Sequence, residues 1–209
     1  MIPDLFSVGP FTLHSFGLMA ALALIVPGYF AGRDLLRRGY DPTLSWEILI
    51  AAGIGGFFGA KIDYLLQNDG DGGLFSGTGL VWYGGVIGGT IAVIAVALWR
   101  KLPIGIVANV VGPCLALGYA IGRIGCQLSG DGDYGRATSL PWGMSYPDGE
   151  VPTTEIVHPT PIYETTAMLL VFFVLWRLRD RFNRPWQLFG LWAILAGAER
   201  FLVEFVRRH

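Results

Sequence analysis

Leu117–Arg136, LGYAIGRIGCQLSGDGDYGR, decides how the rest of the chain is read. It begins as an apolar helix, carries an arginine inside that helix, and leaves through a loop of glycine and aspartate. A charged side chain at the bilayer centre costs roughly 2.5 to over 10 kcal/mol, less near an edge, so an intramembrane arginine is functional by default. Arg123 lies about two turns before the loop, near a membrane edge. Tyr119, Arg123 and Gln127 recur at i, i+4 and share one helix face. That face is a polar stripe ending at Ser129, Asp131 and Asp133. The plainer reading is an arginine that snorkels and anchors a helix end.

The composition around this stretch is that of a membrane protein. Of 209 residues, 53% are hydrophobic and 15% charged, with a mean hydropathy of +0.51. Soluble domains average about 25% charged residues. The expectation is an all-α, polytopic transmembrane helical bundle of about six spans, a single domain over residues 1–209 with one long irregular external loop at 129–161. A net charge of -1 gives no electrostatic support for a nucleic-acid partner. Cys114 and Cys126 fall in one predicted helix, about 18 Å apart and beyond disulfide reach. Both read as small buried packing residues. The N-terminal MIPDLFSVGPF lacks a basic leader region, so the first apolar stretch is expected to remain as a span.

The spans are expected at 12–31, 46–66, 80–99, 104–128, 162–178 and 186–206. Gly55 and Gly59 in the second, and the pairs Gly84/Gly88 and Gly85/Gly89 in the third, repeat at four residues. Small residues at that spacing let helices approach closely in lipid, so spans two, three and four are expected to pack through glycine faces. The connections after spans one, three and five carry Arg33, Arg37, Arg38, Arg100, Lys101, Arg177, Arg179, Arg181 and Arg184. Those after spans two and four carry Asp69, Asp71, Asp131, Asp133, Asp148, Glu150 and Glu155, with one arginine, Arg136. The positive-inside rule then places the N-terminus and the 129–161 loop outside.

With that topology the intramembrane polar groups gather toward one surface: His14, Lys61, Asp63, Tyr83, Arg123, Gln127, Glu164, Glu199, Arg200 and Glu204. Two arginines at the outer-leaflet level suit a phospholipid phosphate, which the planar guanidinium binds bidentately while staying charged. The alternative is a set of structural ion pairs, since Arg200 and Glu204 are themselves i, i+4. No metal cluster, phosphate-binding loop or dinucleotide motif is seen, so neither a metal nor a cofactor is expected.

GRIGC…GDGDYGR, HPTPIYE and ERFLVEFVR, in that order, resemble the prolipoprotein diacylglyceryl transferase family. FGLM in span one and YGGVIGG in span three fit the same order, and the resemblance covers nearly all of the chain. It implies an integral inner-membrane enzyme that moves the diacylglyceryl group of phosphatidylglycerol onto a lipobox cysteine thiol in the signal-peptide segment of a prolipoprotein. It also implies roles. Arg123 and Arg200 would hold the phosphate, and Gln127, Gly135, Asp131, Glu164 and Glu204 would complete the lipid site, with Asp133 competing for the place of Asp131. His158, Tyr163 and Glu164 match the family's His-Pro-…-Tyr-Glu segment.

The sequence departs from the family pattern at several places. Tyr83 stands where the family has a histidine proposed to activate the thiol, Phe16 where it often has tyrosine, Cys126 for asparagine and Pro161 for glutamine. The family normally has a seventh span and a larger external head. Imidazole titrates nearer neutrality than a phenol, so His158 stands beside Tyr83 as the candidate base. The alternative readings are a divergent relative that binds lipid or modifies another acceptor, and a non-catalytic membrane scaffold.

Overall fold

The computed structural model describes residues 1–8, 11–68, 81–182 and 184–208. Six helices carry the fold: α1 (Ser15–Arg37), α2 (Leu44–Gln67), α3 (Trp82–Trp99), α4 (Ile104–Ser129), α5 (Thr160–Leu178) and α6 (Gln187–Glu204). Two antiparallel hairpins accompany them, β1 (Asp4–Val8) with β2 (Phe11–His14), and β3 (Met144–Tyr146) with β4 (Thr153–Val157). The chain is an all-α polytopic membrane protein. α1 to α5 are each long and apolar enough to cross a bilayer. α6 has 18 residues and carries three charged side chains, Glu199, Arg200 and Glu204, toward its end. Asp69 and Asp71 of the acidic connection, and Leu80 at the expected start of the third span, lie outside the described residues.

Two expectations are corrected. The first span begins at Ser15, not Thr12, because Thr12–His14 pair as a strand with the N-terminal residues. The 129–161 segment is not irregular throughout, since β3 and β4 pair within it, Met144 opposite Val157 and Tyr146 opposite Thr153. Tyr134 and Tyr146 stack at 5.0 Å and, with Val157, form a small apolar core beneath that hairpin.

The chain divides into two compact units, Gly28–Ala108 and Met1–Pro27 with Asn109–His209. In the first, α2 and α3 meet backbone to backbone. A Cβ added at Gly59 would collide with Gly84 O and approach Gly88 Cα to 2.8 Å. The glycine spacing read in spans two and three is therefore a contact seam, as small-residue faces in lipid require. Asp63 Oδ2 accepts the N–H of Gly84 at 3.0 Å, satisfying one of the donors left open at the start of α3. Lys61 is fully buried, its Nζ 5.4 Å from the Tyr64 ring centroid.

In the other unit α4 is the central element. Of its apolar window 56% is buried, against 17–28% for the other spans. Three glycines of α4, the span expected to pack on spans two and three through its glycine face, lie against α1 and α6 instead: Gly125 against Phe16 and Met19, Gly118 against the Ala23 carbonyl, Gly112 against Leu188, Phe189 and Trp192. Proline at 27 removes the helical donor that Ala23 O would otherwise receive, so the α1 backbone is open where Gly118 approaches. Asn109 is wholly buried. Its Oδ1 accepts the N–H groups of Leu188 at 2.9 Å and Phe189 at 3.3 Å, and its Nδ2 donates to Arg184 O at 2.8 Å. One side chain of α4 thereby caps α6 and fixes the helix that carries Arg200.

Candidate active site

The site is assembled where α4 ends. Gly130 and Gly132 both adopt positive φ, +64° and +94°, and turn the chain back over the helix end. Asp131 Oδ1 accepts the Asp133 N–H at 3.3 Å, an Asx turn that aims Asp133 at α4. Gly135 then threads between two other segments. Its N–H donates to His158 O at 2.8 Å, and Gly135 pairs with Arg207 in an antiparallel bridge. A Cβ there would strike Val206 O and come within 2.9 Å of His158 Cβ, so only glycine fits. The signature loop, the His158 segment and the end of α6 are tied at this one residue.

Arg123 lies inside this knot, with 15% of its side chain exposed. It ion-pairs with Asp133, and its Nε lies 2.6 Å from Glu164 Oε2. Its Nη2 donates to Tyr119 OH at 3.2 Å, and that hydroxyl donates to Glu164 Oε1 at 3.2 Å. The face shared by Tyr119 and Arg123 is thus realised as a contact network. Glu164, with 3% of its side chain exposed, also reaches the second arginine: Arg200 Nη1 is 3.8 Å from its Oε1. Arg200 pairs with Glu204 at 2.8 Å and is 44% exposed. The two guanidinium groups, 77 positions apart in sequence, therefore meet around one buried carboxylate.

Of the two carboxylates that compete in the signature loop, Asp133 is the one that meets cations. Asp131 shapes the turn instead. Asp133 also receives Arg207 Nη2 at 3.4 Å, a third arginine absent from the sequence-derived site. Its signal was present as the last residue of the ERFLVEFVR motif. Gln127 points to the hairpin, its Oε1 accepting the Tyr146 hydroxyl at 2.9 Å. Burial pushes the Tyr146 phenol above its ordinary range, so it stays a neutral donor there.

Cys126 is buried, as expected of a packing residue, but it also borders the charge network. Its Sγ is 3.8 Å from Arg123 Nη1 and 3.7 Å from Asp133 Oδ2. Cys126, Asp131 and Asp133 hold ligand-type atoms within 4.8 Å of one another. The Arg123 guanidinium already pairs with that cluster, and a fixed cation there opposes a divalent ion. Glu199 is buried beside Arg200 in the α6 sequence, and its Oε1 has no hydrogen-bond partner among the described residues. His14 pairs with Asp4 at 2.7 Å on the N-terminal hairpin. Tyr83 belongs to the Gly28–Ala108 unit, where it is exposed in the first turn of α3 and meets Trp82 edge-on at 5.2 Å.

His158 lies on the far side of Gly135. Its N–H donates to Arg136 O at 3.0 Å, and its Nδ1 lies 3.2 Å from Tyr163 OH. An arrangement of this kind, two arginines at one carboxylate with an imidazole just past the end of β4, has the parts for displacing a phosphate from an ester carbon. Cations would hold and discharge the leaving phosphate, and a basic group would serve the nucleophile.

The comparisons with known proteins point the same way. The family model for prolipoprotein diacylglyceryl transferase matches residues 3–209. The chain is 32% identical over 215 residues to a phosphatidylglycerol–prolipoprotein diacylglyceryl transferase of Clostridium tetani, covering 99% of this chain and 86% of the relative. It is 31% identical over 223 residues to the like-named protein of Chromohalobacter salexigens, with 99% and 79% covered. To that of Aeromonas salmonicida it is 32% identical over 217 residues, with 99% and 78% covered. A match of this length and order, on a fold whose signature segments converge at Gly135, makes the chain a member of the prolipoprotein diacylglyceryl transferase family.

Proposed function

We propose that this chain is a phosphatidylglycerol–prolipoprotein diacylglyceryl transferase. It would pass the diacylglyceryl group to a lipobox cysteine thiol in the signal-peptide segment of a prolipoprotein and release glycerol phosphate. The observation that carries the reading is the convergence of Arg123 and Arg200 on Glu164. Arg123 is held by Asp133, Tyr119 and the buried Glu164 and supplies positive charge at the site. Arg200 is half-exposed, and its Nη1 stands 3.8 Å from Glu164, beyond hydrogen-bond distance. A phosphate would take that fork bidentately, with Glu204 giving way. As the ester C–O bond breaks, both guanidinium groups face the charge growing on the leaving phosphate. Gln127, Gly135, Asp131 and Glu204 line or shape the lipid site, and His158 is the basic group on the side of the acceptor thiol.

The protein sits in the bacterial inner membrane with its N-terminus and its site facing outside. The charge distribution of the connections supports that orientation, and a lipid head group from the outer leaflet then arrives at the depth of Arg123.

The test is purified protein incubated with phosphatidylglycerol and a lipobox peptide, read as thioether product by mass spectrometry. Wild type forms product. Arg123→Ala and Arg200→Ala each lose at least about a hundredfold in turnover while the protein still inserts. Unchanged transfer in both variants defeats the reading. The three ligands of Arg123 also support a second reading, an ion-pair scaffold without chemistry. Under that reading the exchange Arg200→Glu with Glu204→Arg is tolerated, and no product forms with either protein.

A further inference from the structure

A second polar chain runs beside the arginine network and uses none of its groups. Trp142 Nε1–H donates to Tyr163 OH at 2.8 Å, and that hydroxyl lies 3.2 Å from His158 Nδ1. The His158 and Tyr163 rings meet edge-on, with centroids 6.0 Å apart. An indole N–H can only donate. The phenol oxygen receives from Trp142, which leaves its own hydrogen available for donation to His158 Nδ1. With His158 as the Nε2–H tautomer, the lone pair on Nδ1 faces Tyr163. The backbone that carries the imidazole is held on both sides. Its main-chain N–H is bonded to Arg136 O at 3.0 Å, and its carbonyl accepts Gly135 N–H at 2.8 Å and Thr160 N–H at 2.9 Å. Tyr163 is half-buried in the first turn of α5, and Trp142 is exposed on the turn before β3. The next residue after Tyr163 is Glu164, the carboxylate that Arg123 and Arg200 share.

This inference rests on the diacylglyceryl-transfer reading and specifies its proton path. We propose that Tyr163 Oη, not the imidazole, takes the proton of the acceptor thiol, with His158 Nδ1 receiving the hydrogen that Tyr163 gives up. The S–H bond breaks and its electron pair stays on sulfur. The hydrogen bonds to Tyr163 oxygen as the original phenolic hydrogen passes to His158 Nδ1. The thiolate then attacks the glyceryl carbon bearing the phosphate ester. A C–S bond forms, the C–O bond breaks, and its pair leaves on the phosphate oxygen. The proton on His158 returns through Tyr163 to the departing glycerol phosphate or to water. Trp142 touches no substrate and is a positioning residue. Its N–H orients the hydroxyl and supports the charge that grows on the phenol oxygen during transfer.

The experiment compares two lipobox peptides, one with cysteine and one with selenocysteine as acceptor. A selenol is largely ionised at neutral pH and needs no base. With the cysteine peptide, Tyr163→Phe is expected to lower kcat about 10²- to 10⁴-fold and leave KM for phosphatidylglycerol unchanged. With the selenocysteine peptide, the same variant returns to within about tenfold of wild type. Trp142→Phe shows a smaller loss, about tenfold, with the same rescue. Arg200→Ala is not rescued, because its defect is in holding phosphate. Full activity of Tyr163→Phe toward the thiol, or a loss that the selenol does not repair, overturns the proton path while leaving the transfer reading intact. Absence of product from wild type with both acceptors overturns the transfer reading itself, and the proton path with it.

Discussion

The α2–α3 pair and the α4–α5–α6 group meet the same difficulty with opposite means. Lipid chains are as apolar as leucine, so burying apolar surface does not drive helices together in a membrane. α2 and α3 answer with absence. Gly55 and Gly59 face Gly84 and Gly88, with only Ala92 and Asp63 bringing side-chain atoms as near, and backbone contact does most of the holding. α4, α5 and α6 answer with charge. Arg123, Glu164 and Arg200 come from three different helices and are joined by ion pairs. The first solution is tight and chemically silent. The second is costly to bury and leaves reactive groups in place, which is why the candidate chemistry sits there.

The difference can be broken from either side. The largest effect is expected at Glu164. Glu164→Gln keeps the shape but leaves two arginines around a neutral amide, at a cost of about 3–5 kcal/mol. Unfolding followed by helical circular dichroism in mixed micelles measures it, and a change below about 0.5 kcal/mol would mean the network contributes nothing. Gly59→Leu comes next. The new side chain has the Gly84 carbonyl in its way, and overpacking costs about 1–3 kcal/mol. Because the seam carries no chemistry, product formation per folded molecule should be unchanged. A turnover defect as deep as that of Arg200→Ala would erase the division of labour drawn here. The smallest effect sharpens the contrast. Arg100 and Glu47 form a two-pronged pair at 2.7 and 2.5 Å, but both are partly exposed. Arg100→Gln should shift the unfolding midpoint only slightly, and the shift should shrink in high salt.

Much of this was legible before any coordinates. Hydropathy gives six helices, and four-residue spacing gives both the glycine seam and the Tyr119–Arg123 face, because those patterns are local and helical periodicity fixes which residues share a side. The hairpins were not legible. β3 and β4 are short, and a three-residue strand such as Met144–Tyr146 has too little alternation to announce itself. The role of Asn109 was hidden for another reason. A lone polar residue in an apolar helix carries no mark of its partner, which is the start of α6, 79 positions away.

The sequence by itself determined that this is a membrane bundle with Arg123 and Arg200 inside its helices, because composition and periodicity are properties of neighbouring residues. The tertiary structure alone decided that Asp133 pairs with Arg123 while Asp131 turns the loop, that Arg207 joins them, and that Tyr163 stands between Trp142 and His158. Each of those choices depends on where distant segments cross, and the crossing is fixed at Gly135, where a missing side chain lets three of them touch.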